Sequence, residues 1–116
     1  MSFDLSEVVN SMRQAASAVL QQDIGQLQGF AEQQLQAIAK QAQTLAQGII
    51  SGQVTEATRD FFLQGLQDMT SNFVRTLQGL SAVLAEKVWN AMVGELWSAI
   101  SRATGLVLAV PTAAAL

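Results

Sequence analysis

The nine Asp and Glu residues are the side chains with which this 116-residue sequence could do acid–base chemistry, and they occur singly along the chain. Glu86 and Glu95 are nine residues apart, and Asp60 and Asp68 are eight residues apart. A general acid and a general base must reach the same reacting bond, and neither spacing by itself defines such a pair. We therefore interpret the carboxylates as solvated charges on helix faces.

Other catalytic and ligand-binding groups are missing from the sequence. It contains no histidine, cysteine or tyrosine, which excludes Ser–His and Cys–His nucleophiles as well as histidine and thiolate metal sites. The segment Gly25-Gln-Leu-Gln-Gly29 has the glycines of a phosphate loop, but no Lys-Ser/Thr and no preceding strand pattern. We expect a non-enzymatic protein with no catalytic, cofactor-binding or metal-binding residues.

The charge pattern limits the partners of the chain. Charged residues make up only 13% of the sequence, the net charge is −3, and the six basic residues are scattered. Without a basic cluster we expect no nucleic-acid binding and no polybasic attraction to a membrane. Glutamine supplies most of the polar surface, with eleven of fifteen residues between Gln14 and Gln47. Because neutral amides repel one another little, this surface favours assembly of copies; an ordinary Ala/Gln-rich surface is the alternative.

The stretch from Phe61 to Arg102 contains no proline and repeats a 4-3-4 apolar spacing every eleven residues. This hendecad spacing, about 3.67 residues per turn, keeps one stripe along an unbroken helix. Between Val88 and Arg102 the apolar arc widens to half of the helical wheel, which holds Val88, Trp89, Met92, Val93, Leu96, Trp97, Ala99 and Ile100. We predict these tryptophans as core fillers or as residues at a subunit or membrane boundary. The predicted interface consists of Phe62, Leu66, Met69, Phe73, Leu77, Leu80, Leu84, Val88, Trp89, Met92, Leu96, Trp97 and Ile100.

The first half of the chain has the same spacing. Asp4, with Glu7 three residues later, is typical of a helix start, and Thr55 is expected to cap the second helix. Glycines near residues 48–52 and Gly105 are expected to end the two helices. Residues 23–29 contain two glycines and a polar interruption of the stripe, so they indicate a bend or a local break.

These patterns predict a single all-α domain over residues 1–116. Two helices, about 4–50 and 55–104, form a long antiparallel hairpin, each helix roughly 70 Å long at 1.5 Å per residue. Two helices cannot cover such wide apolar arcs. The missing helices come either from other copies, in an oligomeric bundle or filament, or from the chain folding back at residues 23–29. The tripeptide Leu-Gln-Gly occurs at 27–29, 63–65 and 77–79, and we do not interpret this irregular spacing as a structural repeat.

Two classes of function fit these features. The first is a structural, self-assembling protein, which forms a coiled-coil-like bundle, tube, ring or filament with itself as partner. The second is an amphipathic lipid-interface protein, such as a granule coat or a pore-forming hairpin, for which the uncharged tail 106–116 is suited. An adaptor for another helical protein is a third possibility. The sequence shows neither a signal peptide nor a conventional transmembrane helix, so the expected location is cytoplasmic by default, or within a larger assembly.

Overall fold

The computed structural model describes residues 3–111 and is all-helical, as predicted, with no strand in that range. Four α-helices follow one another, and a short 3-10 turn at Ile24–Gln26 lies between the first two. The helices are α1 Leu5–Leu20, α2 Glu32–Ile50, α3 Glu56–Thr76 and α4 Ala82–Thr104.

The predicted two-helix hairpin is wrong, because each of its long helices is divided into two. The molecule measures 42 × 27 × 20 Å, much shorter than the roughly 70 Å expected for the hairpin. Besides the turn between α2 and α3, the chain folds back at two further points and so supplies the additional helices from within one copy. Of the two sources considered for covering the wide apolar arcs, folding back is therefore the one observed.

A left-handed residue ends the first helix, and polar side chains hold the 3-10 turn that follows it. Gln21 adopts a left-handed conformation with φ of 57°, which stops α1. The Ser17 hydroxyl then accepts a hydrogen bond from the Ile24 N–H at 2.9 Å, and the Asp23 carboxylate accepts one from the Gly25 N–H at 2.9 Å. These side-chain acceptors replace helical carbonyls, so the backbone leaves the helix. The predicted break at residues 23–29 is confirmed, and it extends to both sides.

The break between α3 and α4 was not predicted. Leu77 leaves the helix in an extended conformation, Gly79 has a φ of 84°, and Ser81 caps α4 by accepting from the Leu84 N–H at 3.2 Å. The 4-3-4 apolar spacing continues across this break. Periodicity therefore predicted a continuous helix where glycine and a capping serine end one helix and begin another.

The predicted helix ends at the other positions agree with the structure. Asp4 accepts a hydrogen bond from the Glu7 N–H at 3.1 Å at the start of α1. Thr55 is the N-cap residue of α3, and its N–H donates a hydrogen bond to the Thr58 hydroxyl at 3.1 Å. Gly105, with φ of 76°, ends α4. Local capping chemistry was thus sufficient to locate these boundaries.

The helices pack as an antiparallel four-helix bundle in which α2 and α4 each contact all three other helices. Because α1 and α3 both pack on this pair and hardly touch each other, they lie on opposite sides of it. The most extensive contact joins α1 to α4. The central position of α4 explains its wide apolar arc. Its buried residues are Val88, Trp89, Met92, Val93, Leu96, Trp97, Ala99 and Ile100.

Candidate interaction surface

The structure places most of the predicted interface residues in the interior of a single copy. Phe62 lies at the surface, with 36% of its area exposed. Met69, Leu80 and Leu84 are half-buried. The other nine are buried: Leu66, Phe73, Leu77, Val88, Trp89, Met92, Leu96, Trp97 and Ile100. These nine side chains already have apolar neighbours within their own chain.

The two tryptophans of α4 are held by this interior in different ways. Trp97 is one of the largest fully buried side chains of the core. Trp89 is also buried, but its indole Nε1–H donates a hydrogen bond to the Ser71 hydroxyl of α3 at 3.0 Å. Both rings therefore fill the core of one copy, and the hydrogen bond of Trp89 aligns α4 with α3.

A cluster of charged side chains joins α1, the 3-10 turn and α2. The Arg13 guanidinium contacts the Asp23 carboxylate at 3.2 Å and the Glu32 carboxylate at 3.1 Å, and it lies 5.4 Å from the centre of the Phe30 ring. The Gly25 N–H and then Arg13 lower the pKa of Asp23, and the hydrogen bond to Asp23 raises the pKa of Arg13. Each charge has a protein partner, so this cluster holds the fold-back between α1 and α2.

An open cleft of about 630 Å³ lies where the α2–α3 turn meets the end of α4. Ile50, Val54, Ala103 and Leu106 line it, together with Arg59, whose buried Nε has no hydrogen-bond partner among residues 3–111. Elsewhere in the described chain, no three His, Cys, Asp or Glu side chains gather closely enough to hold a metal ion. The cleft is wide and open, and the polar residues Thr55, Glu56 and Thr104 also line it.

The most prominent apolar feature of the surface is an aromatic pair on α3. Phe61 is 78% exposed, and its ring meets the ring of Phe62 edge to face, with centroids 5.5 Å apart. Consecutive residues of a helix point about 100° apart, so only Phe62 could join the predicted stripe. Phe61 is therefore absent from the predicted interface. The two consecutive phenylalanines were a sign in the sequence that one ring is exposed, because both rings cannot lie within one narrow apolar stripe.

The segment after α4 is a second apolar feature. Residues 105–111 have no regular secondary structure; Leu106 and Leu108 are half-buried, Val107 is fully exposed, and Val110 is about half-exposed. Part of the uncharged tail 106–116 therefore packs against the bundle. Its last five residues, 112–116, lie outside the described residues.

No protein-family model, curated protein or solved structure matches this chain. Of the helices that the structure describes, none is long and apolar enough to cross a membrane.

Proposed function

We propose that this chain is a non-enzymatic structural protein that associates with other copies of itself to form a larger helical bundle, tube, ring or filament. The observation that carries the proposal is the exposed aromatic pair Phe61–Phe62 on α3. An aromatic side chain buries about 150–250 Å² when it is covered, which makes it an effective contact residue. The predicted interface is thereby revised, since its nine buried residues serve the interior and the contact falls on the outside of α3.

The low charge of the chain supports self-association. With charged residues at only 13% of the sequence, copies have little electrostatic repulsion to overcome. Helical faces rich in neutral glutamine can also approach one another without burying unpaired charges.

The mass of the protein in solution tests this proposal. We expect light scattering at micromolar concentration to give a mass of at least two 12.4 kDa chains, little changed by moderate salt. Insensitivity to salt is expected because apolar contacts, unlike exposed ion pairs, are not screened. A monomer across the micromolar range would contradict the proposal.

Binding to a lipid surface is the second candidate function. It is favoured by the uncharged segment after α4, in which Val107 and Val110 expose apolar side chains to solvent. Co-sedimentation with phosphatidylcholine vesicles tests it. If the chain binds lipid, the wild type should pellet with the vesicles. The double variant Val107→Ser/Val110→Ser should pellet less, with an unchanged thermal midpoint.

A further inference from the structure

The outer face of α3 is suited to pairing with a copy of itself. Thr58, Phe61, Gly65, Asp68 and Asn72 follow one another at spacings of three or four residues, so they share one side of the helix. All five are exposed, and this side lies opposite the buried residues Leu63, Leu66, Thr70, Phe73 and Val74. We call these five exposed residues the outer α3 face.

A knob and a hole lie next to each other on the outer α3 face. Phe61 projects from it, and its ring is braced by the edge-to-face contact with Phe62. Four residues later, a Cβ added to Gly65 would meet no atom within 4 Å, so the backbone there is open to a close approach. A large aromatic ring beside an uncovered glycine is self-complementary, because a two-fold contact uses each feature twice.

We infer that two copies pair through antiparallel α3 helices, with Phe61 of each copy packed over Gly65 of the other. The inference deepens the proposed self-association and rests on it, and among the proposed assemblies it specifies a helical bundle of two copies, since a two-fold contact closes on itself. In this register, position 61 of one copy lies opposite position 65 of the other, and position 58 of one copy lies opposite position 68 of the other. The contact with Phe62 already restricts the Phe61 side chain in a single copy, so Phe61 loses less conformational entropy on binding.

The single charge on the outer α3 face selects the antiparallel direction. Asp68 is the only charged residue among the five, and antiparallel pairing places it beside Thr58, in the first turn of the other helix. That turn is the positive end of the helix dipole, which attracts a carboxylate. Parallel pairing in register would instead bring two Asp68 carboxylates together, and like charges at short distance repel.

A residue swap tests the knob and the hole. Phe61→Ala removes the knob and Gly65→Phe fills the hole, so we expect each variant to raise the dissociation constant at least about tenfold, measured by sedimentation velocity. The double variant Phe61→Ala/Gly65→Phe exchanges knob and hole and should restore association. Circular dichroism provides the folding control, since both positions are exposed and the variants should keep the wild-type helicity.

Cysteine crosslinking tests the direction. The chain contains no cysteine, so introduced thiols are the only ones. A mixture of Thr58→Cys and Asp68→Cys proteins should form a mixed disulfide dimer on oxidation, whereas Thr58→Cys alone should not. In the inferred register two copies of position 58 are ten residues apart along the helix, about 15 Å, beyond the roughly 7 Å that a disulfide spans.

The outcomes separate this inference from the function on which it rests. Association that is unaffected by both single variants would overturn the pairing and leave self-association through another surface. Efficient crosslinking of Thr58→Cys with itself would show a parallel pair and also overturn the inference. A wild type that stays monomeric, including one that binds phosphatidylcholine vesicles through Phe61, would overturn the inference and the proposed self-association together.

Discussion

The backbone N–H of Gln78 donates a hydrogen bond to the carbonyl oxygen of Gln28 at 2.9 Å. This bond joins the connection between α1 and α2 to the connection between α3 and α4. Both connections carry the tripeptide Leu-Gln-Gly, at residues 27–29 and 77–79. Two of the three copies of this tripeptide therefore meet in space, although their sequence spacing had not suggested a structural repeat.

The Leu and Gly residues of the two tripeptides also have similar backbone angles. Leu27 and Leu77 are extended, with φ of −74° in both, and Gly29 and Gly79 have φ of 92° and 84°. The third copy, Leu63-Gln64-Gly65, lies inside α3. The tripeptide alone does not determine the local structure, so the surrounding tertiary contacts must select the turn at the first two sites.

Substitution of three glycines by alanine should separate backbone strain from close packing. Gly29→Ala forces alanine into a left-handed conformation and also places its Cβ against the Thr76 carbonyl oxygen. Gly79→Ala has the left-handed conformation without a steric neighbour, so we expect it to lose only about 1–2 kcal/mol of unfolding free energy. Gly29→Ala should lose more than Gly79→Ala. The helical Gly94→Ala, whose Cβ meets nothing, should gain roughly 0.5–1 kcal/mol.

Urea denaturation of the three variants measures these differences. If Gly29→Ala and Gly79→Ala are equally destabilised, the close approach of Gly29 to Thr76 does not contribute to stability. Gly94→Ala serves as the control because it adds the same methyl group at an open position.

Periodicity predicted which residues are buried but not what covers them. All eight buried residues of α4 had been assigned to the apolar half of the helical wheel, and this assignment is confirmed. The same pattern could not tell whether the cover came from this chain or from another copy, because burial leaves the same signature in both cases. Because the pattern does not distinguish these two cases, it predicted a long two-helix hairpin where the chain forms four helices.

The second fold-back was harder to predict than the first for a physical reason. In the first, Asp23 interrupts the apolar stripe, whereas Leu77, Leu80 and Leu84 continue it through the second. The side chains of Leu77 and Leu80 pack against the core although their backbone is not helical. Gly79 and Ser81 were the local signals, and the Gln28–Gln78 hydrogen bond that accompanies the turn is a tertiary contact.

Trp97→Ala should be strongly destabilising because the ring is 2% exposed and the surrounding helices cannot close the cavity fully. We expect a loss of roughly 3–5 kcal/mol in unfolding free energy. Ser98→Ala, one residue later and exposed, should change stability by no more than about 0.5 kcal/mol. Thermal and urea denaturation of both variants measures this contrast. A larger loss for Ser98→Ala than for Trp97→Ala would mean that the faces of α4 are assigned backwards.

Ser71→Ala should leave the buried Trp89 indole N–H without its acceptor. We expect a loss of about 1–3 kcal/mol, the cost of an unsatisfied buried donor. The double variant Ser71→Ala/Trp89→Phe removes both partners of the bond. A double-mutant cycle compares the stability loss caused by Ser71→Ala in the wild type with the loss it causes in Trp89→Phe, and the difference is the interaction free energy of the two side chains. If Ser71→Ala has the same effect in both backgrounds, the hydrogen bond does not stabilise the bundle.

Acid should loosen the fold-back between α1 and α2. The Gly25 N–H and the Arg13 guanidinium hold the pKa of Asp23 below its ordinary value of 3.8. A carboxylate whose pKa is lowered by folding stabilises the native state above its unfolded pKa, and this contribution disappears as the pH falls through the lower, folded value. The thermal midpoint should therefore fall as the pH decreases below about 4, with other carboxylates adding to the slope.

The variant Asp23→Asn isolates the contribution of this carboxylate, because asparagine keeps a side-chain oxygen that can accept from the Gly25 N–H but carries no charge. The difference in thermal midpoint between wild type and Asp23→Asn should be present at pH 6 and shrink as the pH is lowered below 4. A carbon-detected NMR titration of the Asp23 carboxyl group measures its pKa directly. A value at or above 3.8 would contradict the role given to Arg13 and Gly25, since both contacts favour the charged form.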